Sequence, residues 1–128
     1  TKTTNRYFNY IYVRMGAHTL IHKRTEDDIW KNLFELPLVE TEKDLSEEEF
    51  LACPQFHALF AEGEVRMVRT LLRGVKHVLS HRVIYTNFYE VTLPDNSSSF
   101  SSYQRVAVED LGRYAVPRLI HAFLEKYV

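Results

Sequence analysis

The stretch VKHVLSHRVIYTNFYEVTL, Val75 to Leu93, decides how this chain is read. It is rich in Val, Ile, Tyr and Phe, residue types that suit a half-buried pleated surface. The pair Ser80-His81 interrupts it, so the stretch reads as one or two strands with a break at that point. Upstream, Val65 to Leu72 alternates poorly and its type stays open. Arg6 to Met15, dense in Tyr and Phe, reads as a strand. Gly16-Ala17-His18 then turns the chain into a second strand at Thr19–Lys23. Residues 25–28 are a polar loop, and Trp30 to Leu36 is an apolar-rich stretch closed by Pro37. Ser46 opens a helix: with Glu49 three residues on it makes a capping box, and Leu45 and Phe50 are placed for the hydrophobic staple. Pro54 breaks or restarts that helix, and Gln55 to Ala61 is a second short turn ended at Gly63.

Beyond Leu93, residues 94–102 form a Ser-rich loop with only Phe100 to bury, the composition of a mobile surface segment. Gln104 to Val108 reads as a last short strand and Glu109-Asp110-Leu111-Gly112 as a turn. Pro117 sits where a first helical turn tolerates it. Leu119, Ile120, Phe123, Leu124 and Tyr127 then fall on one helical face, which core packing explains. The sum is a mixed α+β domain, residues 1–128, in which a sheet carries packed helices including a C-terminal amphipathic one.

Composition narrows the function classes. The chain has 128 residues, 45% of them hydrophobic and 26% charged, which is enough to build a core. No apolar run approaches the length of a membrane span. Cys53 is the one cysteine, so neither an internal disulfide nor a thiolate metal cage is available, and a reducing setting is expected. The first residue is Thr1, and the chain is expected to be cut from a longer protein. Net charge is −1, low for a free-standing nucleic-acid binder, but the charge is segregated. Residues 40–64 hold 8 acidic side chains and 1 basic; residues 65–82 hold 5 basic ones (Arg66, Arg69, Arg73, Lys76, Arg82), none acidic, with His77 and His81 alongside. The basic segment reads either as a solvated strand face or as a local phosphate-facing edge.

Common catalytic signatures are missing. There is no phosphate-binding G-x-x-x-x-G-K-[ST] loop, no G-x-S-x-G elbow and no H-E-x-x-H pair. His77 and His81 stand four residues apart, and on strands they lie too far apart to share a metal. Glu47, Glu48 and Glu49 point in three directions around a first helical turn, where carboxylates favour the helix dipole rather than a metal site.

Three segments in order resemble the C-terminal domain of MutY-type adenine DNA glycosylases. WKNLFELPLVE (Trp30–Glu40) is similar to that family's W-x-G-L-W-E-F-P-L-x-E. KHVLSH (Lys76–His81) is similar to its basic residue and His shortly before Phe-Ser-His. The tail Leu111 to Lys126, with YAVP at Tyr114–Pro117, is similar to its closing helix. Two positions depart: Asn32 stands where Gly is common, and Leu79 where the family has Phe. The resemblance implies a Nudix-like fold related to MutT. The Nudix hydrolase signature G-x5-E-x7-R-E-U-x-E-E-x-G-U, whose glutamates hold metal ions, is missing, so no metal and no catalytic residue are expected in this chain.

The resemblance further implies a role in base excision repair. The partner would be double-stranded DNA with an 8-oxoguanine:adenine mispair, read here so that an N-terminal catalytic domain removes the adenine. That domain, the chain's other expected partner, would carry the catalytic acid and a [4Fe-4S] cluster, in a bacterial-type cytoplasmic, nucleoid-associated setting. The family's reading serine maps onto Ser80, within Leu79-Ser80-His81; Lys76, His77 and Arg82 are the accompanying phosphate or bracing candidates. The alternatives are a stand-alone Nudix-type nucleotide hydrolase and a protein-interaction module on the same fold.

Overall fold

A computed structural model describes residues 3–128. Its frame is a four-stranded sheet in the order β4-β1-β6-β5, built from β1 (Thr4–Arg14), β4 (Leu38–Thr41), β5 (Met67–Val78) and β6 (Arg82–Thr92). A smaller sheet orders β3 (Phe34–Glu35), β2 (His18–Lys23) and β7 (Gln104–Ala107) as β3-β2-β7. β1 and β6 run parallel in unbroken register from Thr4↔Arg82 to Arg14↔Thr92; β1 with β4, and β5 with β6, are antiparallel.

The central strands β1 and β6 are covered on both faces, which is why both read as nearly continuous apolar runs. Phe8, Tyr10 and Tyr12 of β1, with Ile84 and Phe88 of β6, meet Leu119, Ile120 and Phe123 of α3 (Arg118–Tyr127). Phe88 stacks on Phe123 with centroids 4.1 Å apart. The alternate residues, Ile11, Val13, Tyr89 and Val91, meet Phe50 of α1 (Glu47–Ala52) and Phe56 of α2 (Pro54–His57). The Ser46–Glu49 capping box forms as the sequence requires, and Leu45 packs in the same cluster as Phe50.

Several elements differ from the sequence reading. The uncertain segment upstream of Val75 belongs to β5. This edge strand alternates poorly because its register slips twice, between Thr70 and Leu72 and between Leu72 and Val75, and Gly74 adopts φ +70°. Of the apolar stretch Trp30 to Leu36, only Phe34–Glu35 is strand. Residues 108–113 close into a 3-10 helix rather than a simple turn. The Ser-rich loop is pinned from 33 residues away or more: the Glu64 carboxylate accepts from the hydroxyls of Ser97, Ser98 and Ser99 and from the backbone N–H of Ser98 and Ser99. Those donors hold the Glu64 carboxyl down at about 2.

One polar pair crosses the sheet interior. Asn9 and Asn87 face each other in the β1–β6 register, and Asn87 Nδ2 donates to Asn9 Oδ1 at 3.2 Å. Asn9 donates to the Val39 carbonyl, and Asn87 Oδ1 accepts from the Gly74 N–H at 2.8 Å, so the bulged edge strand is tied to the buried pair. Replacing Asn87 with Ala leaves the Asn9 oxygen and the Gly74 N–H without these partners. The expected loss is about 2 kcal/mol, read as a lower denaturation midpoint with unchanged slope.

Candidate nucleic-acid interface at the β5–β6 hairpin

The break expected at Ser80-His81 is the tip of the hairpin joining β5 to β6. Val78 and Val83 are the last register pair, and beyond them the Leu79 N–H donates to the Arg82 carbonyl at 2.8 Å. The His81 carbonyl accepts from the Thr4 N–H at 3.0 Å, so the start of β1 braces the tip. All six sequence candidates lie at this end of the sheet, but they separate by direction. Ser80, His81 and Arg82 are exposed. Leu79 turns inward onto the cluster that contains Phe8. Lys76 and His77 point to opposite faces, as neighbours on a strand must. Lys76 pairs in register with Tyr85, whose ring stacks on Tyr7, while His77 meets the ring of Trp30 edge-on at 5.9 Å.

The first of the three segments singled out in the sequence touches each of the other two. Trp30 touches both Phe8 and His77. Phe34 packs edge-on against Tyr114 at 5.0 Å, and its N–H donates to the Ala115 carbonyl at 2.8 Å. The loop bearing Trp30 is held by charge. Arg6 makes paired bonds to Asp28 (2.8 and 2.9 Å) and to Glu40 (2.8 and 2.7 Å). Arg24 reaches Asp28, the Ile29 carbonyl and the buried Glu35, which also accepts from Tyr10 Oη at 2.8 Å. The hydrogen bonds from Arg6 pull the Asp28 carboxyl down to about 2, while burial and Glu35 push the Tyr10 hydroxyl well up.

Two residues of this loop adopt left-handed backbone: Trp30 at φ +57° and Asn32 at φ +72°. Asn is among the few non-glycine residues that tolerate this region, which accounts physically for Asn at a position where the resembled family commonly has Gly. Trp is not; a bulky side chain there costs about 1–3 kcal/mol. Trp30 belongs to the first MutY-like segment, but nothing in the local sequence marks its contact with His77 of the hairpin or its backbone conformation.

The basic segment is less free than its sequence suggests. Arg69 is paired with Glu90 (3.1 and 3.2 Å), Arg73 donates to Tyr89 Oη and the Leu45 carbonyl, and Arg66 donates to the Gly63 carbonyl. Arg66, Arg69 and Arg73 stay exposed, but each already has a partner within the chain. Lys76 and Arg82, both exposed near the tip, are the cations of the five that none of these bonds engages.

Residues 9–126 match the family model of the NUDIX domain. The chain belongs to the Nudix family. Similar solved structures include the C-terminal domain of mouse MUTYH in complex with human PCNA. That pair shares 15% identity over 95% of this chain and 86% of the other, at TM-score 0.67. MutT from Methanosarcina mazei Go1 shares 17% identity over 98% and 94%, at TM-score 0.63. A MutT structure from a study of Aliivibrio salmonicida and Vibrio cholerae shares 15% over 96% of each chain, at TM-score 0.63. No curated protein matches the sequence. At these identities the likeness is one of fold, shared by a MUTYH C-terminal domain and by MutT proteins.

Metal ions serve Nudix hydrolases through glutamates of the signature helix, and the acids of this Nudix chain do not fit that role. Glu47, Glu48 and Glu49 are all exposed on a six-residue helix, and Glu49 is engaged by the Ser46 N–H. Among the described residues, no three His, Cys, Asp or Glu side chains converge on a point that would hold a metal. A cavity of about 720 Å³, lined by Tyr12, Arg14, Arg69 and Glu90 among others, lies toward the far end of β1, and none of residues 76–82 lines it.

The charge clasp has a defined pH window. Because the Asp28 carboxyl lies below its ordinary 3.8, its contribution is fully present above that value and is lost as pH falls through about 2. In Arg6→Met the Asp28 carboxyl should titrate back toward 3.8, an NMR pH titration being the direct measurement; an unchanged midpoint removes Arg6 as the cause.

Proposed function

We propose that this Nudix domain reads 8-oxoguanine opposite adenine in duplex DNA, in the service of an adenine-removing glycosylase, and does no hydrolysis itself. The observation that carries the reading is the exposed hairpin tip, with Ser80 and His81 outward and braced by Thr4, together with the contacts of the first MutY-like segment, to the hairpin through Trp30 and His77 and to the third segment through Phe34 and Tyr114. The dispersed acids of α1 favour it over a metal-dependent nucleotide hydrolase.

The chemistry follows from the lesion. Guanine offers N7 as an acceptor in the major groove. Oxidation at C8 turns N7 into an N–H donor and adds a carbonyl oxygen, so a reader has to present an acceptor. The Ser80 hydroxyl has the lone pairs for this, but it also donates and can serve ordinary guanine. Discrimination then depends on orienting that hydroxyl and on backbone groups at the tip, whose ladder bond at Leu79 and brace at Thr4 restrict its motion. Arg82 and Lys76 serve phosphates, fixing register rather than base choice.

Four measurements on this chain test the reading. Binding to a duplex with one 8-oxoguanine:adenine pair is expected to exceed binding to the guanine:adenine control. Ser80→Ala should shrink that ratio by about tenfold, the scale of one unpaired buried group; an unchanged ratio rules Ser80 out as the reader. Lys76→Ala or Arg82→Ala should weaken binding to both duplexes alike and reduce the slope of log K against log salt by about 0.9 per contact. Magnesium-dependent release of pyrophosphate from 8-oxo-dGTP at an enzymatic rate overturns the assignment in favour of a hydrolase.

A further inference from the structure

The geometry points to Trp30 as a second DNA-contacting residue, one that supplies beside the tip the aromatic surface the hairpin lacks at Leu79. This rests on the hairpin being the lesion reader. Four observations support it. Trp30 packs against the core cluster but is only partly buried, so part of the residue stays open to solvent. It lies against His77, at the hairpin's inner face, and against Phe8, whose cluster also receives Leu79.

Its backbone is held left-handed, at φ +57°, by a closed set of bonds: Leu33 N–H to the Trp30 carbonyl, Asn32 N–H to Arg24 and Arg24 N–H to Leu33. A glycine meets that conformation without strain, yet the chain places its largest side chain there, where the ring meets His77 of the hairpin. Finally, side chains hold the loop in addition to these backbone bonds. The Arg6–Asp28 and Arg24–Asp28 pairs fix it to the sheet, so the ring is set in advance rather than recruited on binding. An indole face is suited to stacking on a base or covering a sugar, contacts that tolerate sequence and add affinity.

Trp30 is the chain's one tryptophan, so its emission reports on this position alone. The experiment follows quenching of wild-type emission by acrylamide, with and without the 8-oxoguanine:adenine duplex, alongside anisotropy of the labelled duplex for wild type, Trp30→Phe and Trp30→Leu. The expected result is lesion-selective wild-type binding and quenching reduced at least about twofold in the complex. Trp30→Leu should lose about tenfold or more in affinity, with Trp30→Phe within about threefold of wild type.

Selective wild-type binding with unchanged quenching, and Trp30→Leu binding like wild type, overturns the role of Trp30 and leaves the hairpin reading standing. Wild-type binding that ignores the lesion overturns both. Far-UV circular dichroism checks the variants; if Trp30→Leu does not fold, the wild-type quenching result decides alone.

Discussion

The parallel pairing of β1 with β6 is the constraint from which the rest of the arrangement follows. Eleven residues of each strand stay in register, and Phe8–Val13 with Thr86–Val91 are buried on both faces of the sheet. One face receives α3 and the other α1 and α2, so neither strand can slip by one residue without exchanging Phe8, Tyr10 and Phe88 for Asn9, Ile11 and Tyr89. The buried Asn9–Asn87 pair adds a polar condition to the same register: two amides that satisfy each other only when these two positions are opposite. Because the ladder begins at Thr4↔Arg82, it also fixes where the β5–β6 tip stands relative to the chain's beginning. The Thr4 brace on His81 is a consequence of that ladder, not a separate device.

Much of this architecture is readable in the residues. Ser46 and Glu49 announce a helix start that forms with both reciprocal bonds. The apolar stripe of the last helix is buried as spaced, with Leu119, Ile120 and Phe123 inward. The interruption at Ser80-His81 marks a real hairpin tip because the flanking residues favour strands and the pair between them does not.

Other features are hidden for physical reasons. β5 defeats a period-two reading because its bulges change which face each residue meets, so its side chains follow no single alternation. The order of the Ser-rich loop depends on Glu64, whose role cannot be inferred from local composition because its partners are more than thirty residues away. The basic segment illustrates the limit of counting charge: Arg66, Arg69 and Arg73 already pair with carbonyls, a phenol and a carboxylate of the same chain. Trp30 lies beside the tip through a backbone conformation that the identity of the residue argues against.

The slipped register of β5 has one more effect. A long strand at the rim of a sheet offers its unpaired N–H and C=O groups to any other chain, and twelve residues with exposed Met67 and Val78 are a substantial template. Two bulges and a left-handed Gly74 break the straight run of free groups into short, differently aimed pieces. Colloidal behaviour is thereby separated from surface chemistry. The rim keeps its cations and its projecting tip while offering no continuous seam along which copies of the chain would zip into fibres.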